Sequence, residues 1–331
     1  NRALGLVCNE WADDTLDLDD DEEATARDYQ ARDAVAPRTW EDVRYVYESS
    51  KEKGRAAARA LLGDRYDLMT VAGTEELQVY DPATGTYTDE TGDLRGEIYD
   101  GLGEEWSTHE LNEITAGLRQ HNIVQPQELN GTSLNDPHIC VKNGVLNPLT
   151  RELKDHSPEY HFVDRVPVTF DADADTTPHE EFVDDLVDRG ADKKALFEMV
   201  GHALMPDANE RYKKFLILTG DADNGKSAFY ARVKALLDGP EREENNTSSV
   251  KLAKLAQNRF SVDSMYGSMA NIAGEIDGKK IRNTAQIKDI TGGDLTEIEP
   301  KGKESFFDTI NTTLMFAAND PPILGERDKE A

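Results

Sequence analysis

The sequence predicts an α/β fold built around a parallel sheet, and three observations carry that prediction. An apolar run, Phe215–Leu218, leads through Gly220–Lys226 into Ser227–Leu237, where Ala228, Phe229, Val233, Leu236 and Leu237 share one helical face. Two later apolar runs, Met269–Gly274 and Thr313–Ala318, have the length of strands. Strands that alternate with helices pack as a parallel sheet with helices on its faces.

Taken in order, the chain opens on a segment that folds poorly by itself. Residues 1–38 contain the run Asp19, Asp20, Asp21, Glu22, Glu23 and few large apolar side chains, so they read as an acidic, disordered linker or tail. Residues 39–175 read as a smaller mixed α/β domain. Thr39 and Asp42 have capping-box spacing ahead of Val43, Tyr45 and Val46, and a helix through Ala57–Leu62 follows. Leu77–Tyr80 reads as a strand, and Pro82 and Gly85 turn the chain after it. Asn143-Gly144, set between Val141 and Val145, signals a hairpin. Asp171–Pro178 reads as a connection. Residues 176–331 form the second expected domain, with helical periodicity at Phe182, Leu186, Val187 and again at Leu196, Val200, Leu204.

At 331 residues the chain is long enough for two domains, and its 37% hydrophobic content can supply their cores. No apolar run reaches membrane-spanning length, and residues 1 onward lack the basic start and apolar core of a signal peptide. Two cysteines, Cys8 and Cys140, cannot form a disulfide framework or a zinc site unaided. These features point to a reduced, cytoplasmic protein with no membrane partner. With 66 acidic and 37 basic residues the net charge is -29, which argues against a nucleic-acid surface spread over the whole protein. The acids recur along the chain, as in Asp184, Asp185, Asp188 and Glu241, Glu243, Glu244, a pattern that suits solubility in a salt-loving host.

Gly220-Asp221-Ala222-Asp223-Asn224-Gly225-Lys226-Ser227 matches a phosphate-binding loop. Gly220 and Gly225 permit backbone angles closed to other residues and let amide N–H groups face an anion. Lys226 reaches β- and γ-phosphates, Ser227 coordinates Mg²⁺, and the helix that starts there turns its positive end toward the phosphates. ATP with Mg²⁺ is therefore the expected ligand. A carboxylate must hold the metal and a second must orient water. Glu275 and Asp277 stand one residue apart after the run Met269–Gly274, so an extended chain there points both acids to one side. Asn319 follows the third run, where open α/β sheets bind ligands, and its amide suits a γ-phosphate or the attacking water.

These motifs resemble the superfamily 3 helicase domain of phage and plasmid primase–helicases. The resemblance rests on Asn224-Gly-Lys-Ser227, Asn258-Arg-Phe260, Ala270-Asn-Ile272 with Glu275, Ile287-Lys-Asp-Ile-Thr-Gly-Gly-Asp294, and Ala318-Asn319. Upstream, Tyr80-Asp-Pro, Lys142-Asn-Gly-Val145, His156-Ser-Pro-Glu-Tyr160 and Gly201-His-Ala-Leu204 resemble the domain that precedes the helicase in this poxvirus- and phage-type family. It implies an AAA+ core, a homo-hexameric ring, ATP-driven movement on single-stranded or forked DNA, and replication proteins as partners. By position it assigns Lys226 and Ser227 to phosphate and Mg²⁺, Glu275 to metal and catalysis with Asp277 beside it, and Asn319 to the sensor. It also makes Leu295–Asp308 a hairpin facing the ring channel, with Lys303 and its neighbour Lys301 on DNA phosphate.

Three departures qualify what the resemblance implies. Ala222 stands where many relatives carry Gly, Glu299 replaces a basic hairpin residue, and the two acids are separated where some relatives have them adjacent. The family's arginine finger lies further along than Arg327, so this stretch is expected to bind ATP and hydrolyse it poorly. A small-molecule kinase would also use Gly220–Ser227, but it would not account for the Thr-Gly-Gly-Asp block. A nucleotide-dependent DNA packaging or assembly module is the other alternative, and stimulation of the ATPase by single-stranded DNA separates it.

Overall fold

The computed structural model describes residues 37–74, 76–89, 91–120, 122–131, 136–205, 207–257, 261–274, 284–299 and 305–322. Among them the helices are α1 (Trp40–Ser49), α2 (Lys51–Arg65), α3 (Gly92–Leu102), α4 (Thr108–Leu118), α5 (Thr177–Leu186), α6 (Gly190–Ala203), α7 (Ala208–Tyr212), α8 (Lys226–Asp238), α9 (Leu252–Leu255) and α10 (Ala285–Gly292). The strands are β1 (Leu68–Val71), β2 (Leu77–Asp81), β3 (Thr86–Thr88), β4 (Ile123–Val124), β5 (Ile139–Val141), β6 (Gly144–Leu146), β7 (Leu153–Lys154), β8 (Leu216–Thr219), β9 (Thr247–Ser248), β10 (Ala270–Ala273), β11 (Leu295–Ile298), β12 (Phe306–Thr309) and β13 (Thr313–Ala318). The acidic segment expected at 1–38 lies outside the described residues up to residue 36. None of the described helices is long and apolar enough to cross a membrane.

The chain divides into two compact units, one of residues up to 80 with 88–124 and the other of 81–87 with 125 onward. In the first unit Thr39 begins α1 with the capping box its sequence predicts. Its hydroxyl accepts from the Asp42 amide at 3.2 Å, and the Asp42 carboxylate accepts from the Thr39 amide at 2.9 Å. Ser50 and Ser107 cap α2 and α4 with their hydroxyls alone, accepting from the Lys53 and Glu110 amides that the first helical turn leaves without a partner. The four helices enclose Val43, Leu61, Leu62, Leu94, Ile98, Leu102, Ile114 and Leu118. Beside them β1 pairs antiparallel with β2 and parallel with β4.

In the second unit Asp81 starts the turn that Pro82 and Gly85 predict, and Gly85 takes φ 77°. The hairpin predicted by Asn-Gly forms between β5 and β6, shifted by one residue. Val141 faces Gly144, so Lys142 and Asn143 are the turn residues and Gly144 opens β6. Residues 125–175 pack within this unit. Arg165 holds Glu244 at 2.7 Å, Asn246 donates to the Arg165 carbonyl at 2.7 Å, and Ile139, Val141 and Val166 cluster with Leu236 and Met269.

The main sheet of the second unit is parallel, in the order β8-β13-β10-β9. All six residues of β13 and all four of β10 are buried. Alternation along β13 explains this. Met315 and Ala317 join Val183, Leu196, Met199, Phe229, Tyr230 and Val233 in one core. Leu314, Phe316 and Ala318 join Val250, Leu252, Val262, Met265, Ile287 and Ile290 in another. A sheet buried on both faces reads in sequence as a continuous apolar run, as Thr313–Ala318 does.

Candidate functional site

The strand β8 ends at Thr219, and α8 begins at Lys226. The six residues between them, Gly220–Gly225, form a tight loop with three positive φ angles: Gly220 at 153°, Asp223 at 59° and Gly225 at 87°. Two of these positions need glycine for a second reason. A Cβ on Gly220 would run into the Asn224 amide, and one on Gly225 would lie 2.6 Å from Cδ1 of Leu186 at the end of α5. Asp223 adopts the left-handed conformation that Asp tolerates better than most residues.

The Lys226 ammonium is drawn back over this loop. It donates to the Gly220 carbonyl at 2.7 Å, the Asp221 carbonyl at 2.8 Å and Oδ1 of Asn224 at 2.9 Å. All three acceptors are neutral dipoles, so the positive charge is oriented without being cancelled. No side chain caps α8, and its first turn carries no acid. Its leading amides and macrodipole thus point at the loop with Lys226 beside them. Ser227 is exposed in the same first turn. This combination of amides, one cation and one hydroxyl suits an anion of phosphate size accompanied by a cation.

Strand register brings Asn319 to the same edge. Thr219 of β8 faces Ala318 of β13, so Gly220 and Asn319 are the residues that leave the sheet side by side. Ala273, the last residue of β10, faces Phe316. The β10 strand therefore lies on the far side of β13 from the loop. Tyr230 fixes α8 to this arrangement by donating its hydroxyl to the Phe316 carbonyl at 2.5 Å. Burial raises the phenol's pKa, so it stays a donor. Of the remaining expected residues, Glu275, Asp277, Lys301, Lys303 and Arg327 lie outside the described residues. The expected hairpin does form, as the antiparallel pair β11–β12 in which Ile298 faces Phe306.

The Thr-Gly-Gly-Asp block has a local role that the sequence reading did not assign. It ends α10: Gly293 takes φ 69°, its amide donates to Ile290 and the Asp294 amide donates to Asp289. Sequence reasoning also missed the buried amides that brace the sheet. Asn271 accepts from the Val250 amide at 2.6 Å and donates back to its carbonyl at 2.9 Å, while Asn209 donates to Ile310 and Thr312 carbonyls. A polar residue inside an apolar run, as in Ala270-Asn271-Ile272, was the available signal. His202 donates to or accepts from the Thr313 hydroxyl at 2.7 Å, and burial holds its pKa below the ordinary value. Among the described residues no group of His, Cys, Asp and Glu could hold a metal by itself.

Comparison with known proteins adds two family matches. Residues 39–188 match the family described as D5 N terminal like. Residues 218–331 match a family of unknown function, DUF5906. No curated protein matches the chain. Among solved structures, the A form apo structure of the NrS-1 C terminal region aligns at 12% identity with a TM-score of 0.45, over 81% of this chain and 56% of that one. The apo structure of the same NrS-1 region aligns at 14% identity with a TM-score of 0.44, over 80% and 56%. The chain thus spans a little over half the length of each.

Proposed function

We propose that this chain is the ATP-binding part of a replicative DNA helicase of the phage and plasmid primase–helicase type, with a superfamily 3, AAA+-like P-loop core that works as a homo-hexameric ring on single-stranded or forked DNA. The observation that carries the proposal is the strand–loop–helix of Thr219–Lys226, with its ammonium poised over the loop and Asn319 leaving the neighbouring strand beside it. The D5 N terminal like match over residues 39–188 agrees with a domain that precedes such a helicase.

In this reading the loop amides and α8 hold the β- and γ-phosphates of ATP. Lys226 leaves its three neutral acceptors for phosphate oxygen, and Asn319 orients the attacking water. The Ser227 hydroxyl fits a hard cation such as Mg²⁺. With Glu275 or Asp277 it would hold that ion, which neutralises charge on the phosphates when bound. Lys301 and Lys303 would meet DNA phosphate in the channel. The excess of acids leaves few such contacts, so DNA is retained mainly by ring closure and ATP, with a shallow dependence on salt.

Replacing Lys226 with Ala in the complete protein tests the reading. Nucleotide affinity and strand separation should both be lost. If both survive, the proposal fails.

A further inference from the structure

Several cations of this acidic chain are answered by carboxylates. Lys193 meets Asp184 at 2.6 Å, Lys194 meets Glu198 at 3.4 Å, and Lys142 meets Glu243 at 2.6 Å. One stretch differs. Arg211, Tyr212, Lys213 and Lys214 are four consecutive exposed residues, three of them cationic, and none of the three forms an ion pair among the described residues. They lie at the start of β8, at the opposite end of that strand from the Gly220 loop.

The stretch is held in one shape. Lys213 takes the left-handed conformation, φ 54° and ψ 47°, which ends α7 and turns the chain, and its amide donates to the Asn209 carbonyl at 3.0 Å. Asn209 is itself buried, and its side-chain amide is fixed to the Ile310 carbonyl at 3.0 Å and the Thr312 carbonyl at 2.9 Å. Tyr212 leans on the buried His202 ring, with centroids 6.0 Å apart, yet remains 46% exposed. The neighbouring acid, Glu210, has its Cα and Cβ against Gly293 beside α10. A braced turn thus presents three cations and one aromatic face to solvent.

We propose that Arg211–Lys214 is a contact site for single-stranded nucleic acid, in which the cations meet successive phosphates and Tyr212 stacks on a base. Exposed cations alone would serve any polyanion. The aromatic face set among them favours a strand with unpaired bases over a lipid surface. This proposal does not depend on the nucleotide site, and a site of three phosphates keeps the salt dependence shallow for a chain of this charge.

The test is binding of a fluorescent oligothymidylate of about 16 nucleotides to the full chain, across a salt series. The variant Arg211→Gln/Lys213→Gln/Lys214→Gln should bind at least tenfold more weakly at low salt. Its slope of log affinity against log salt should shrink by roughly 2, the release expected for three single-strand phosphates. A control with the same charge change, Lys51→Gln/Lys53→Gln/Lys154→Gln, should keep the slope. Tyr212→Phe should bind as the parent does, and Tyr212→Ala should lose roughly tenfold. Affinity for a fluorescent ATP analogue should be unchanged in the triple variant and lost in Lys226→Ala, while Lys226→Ala should keep its oligonucleotide slope. The proposal is overturned if the triple variant and the control behave alike. It is equally overturned if the triple variant loses binding only to phosphatidylserine vesicles.

Discussion

In the first compact unit two polar clusters below the surface are built on carboxylates. Glu110, 3% exposed, lies between Arg55, whose Nε is 2.7 Å away, and the Tyr47 hydroxyl at 3.1 Å. Glu97 collects the Trp40 indole, the Tyr66 hydroxyl and the Arg65 guanidinium. In the second unit the groups that brace the main sheet are mostly neutral: the Asn271, Asn209 and Asn246 amides, the Tyr230 hydroxyl and the His202–Thr313 pair. The difference has a physical use. Neutral amides and hydroxyls fix the geometry of a sheet buried on both faces without placing an unpaired charge in its core, where it would be costly. The first unit has no such constraint and can rely on ion pairs.

This contrast can be broken most sharply at Glu110. Glu110→Ala leaves Arg55 only the Glu113 carboxylate at 3.6 Å and takes the acceptor from the Tyr47 hydroxyl, and denaturant unfolding should show a loss of about 3 kcal/mol. Arg55→Leu with Glu110→Leu should recover most of it, since no unpaired charge remains. Next in size is Gly220→Ala, which meets both the positive φ and the Asn224 amide. It should cost about 2–3 kcal/mol in thermal or denaturant unfolding and weaken nucleotide binding. Adding Asn224→Gly should return only the steric part.

Acid titration sharpens the comparison further. Hydrogen bonds from Arg55 hold the Glu110 carboxyl below its ordinary pKa. For Glu97, burial pushes upward, but the bonds from Tyr66, Trp40 and Arg65 outweigh it. Both folded values lie below the unfolded ones. Their stabilisation is therefore complete above the ordinary carboxylate range, near pH 4.3, and is lost as pH falls through the folded values. In the second unit His202 acts in the same direction but nearer neutrality, because its folded value is depressed and charging it costs stability below about pH 6.5. Asp164 acts oppositely. Burial, against one Asn130 amide, raises it to about 6. Its favourable contribution is present below the unfolded value and is lost as pH rises through 6. Asp164→Asn should therefore stabilise the protein by about 1–2 kcal/mol at pH 8, and the gain should fade by about pH 4, as measured by unfolding across that range. The smallest expected effect is Tyr230→Phe, which removes one buried hydrogen bond and should cost about 1 kcal/mol in the same assay.

The fold was legible wherever the signal was local. Thr313–Ala318 is a strand with the bounds its apolar run suggests, α8 differs from the expected Ser227–Leu237 by one residue at each end, and the Thr39 capping box stands as read. Contacts between distant residues were not legible. Nothing in the periodicity of residues 125–175 announces that Arg165 reaches Glu244 or that Asn246 reaches back to the Arg165 carbonyl. The same holds for the site. The glycines, Lys226 and Asn319 were read from spacing, but their adjacency follows from the Thr219–Ala318 register, which only the assembled sheet supplies.

The bond from Tyr230 to the Phe316 carbonyl has a mechanical consequence. It rivets the helix that begins at the loop to the strand that ends at Asn319, so the two sides of the cleft move as one lever. The β11–β12 pair joins no further strand among the described residues, yet Ile298 is buried in the same core as Leu314 and Phe316, so that pair is seated against the strand the rivet holds.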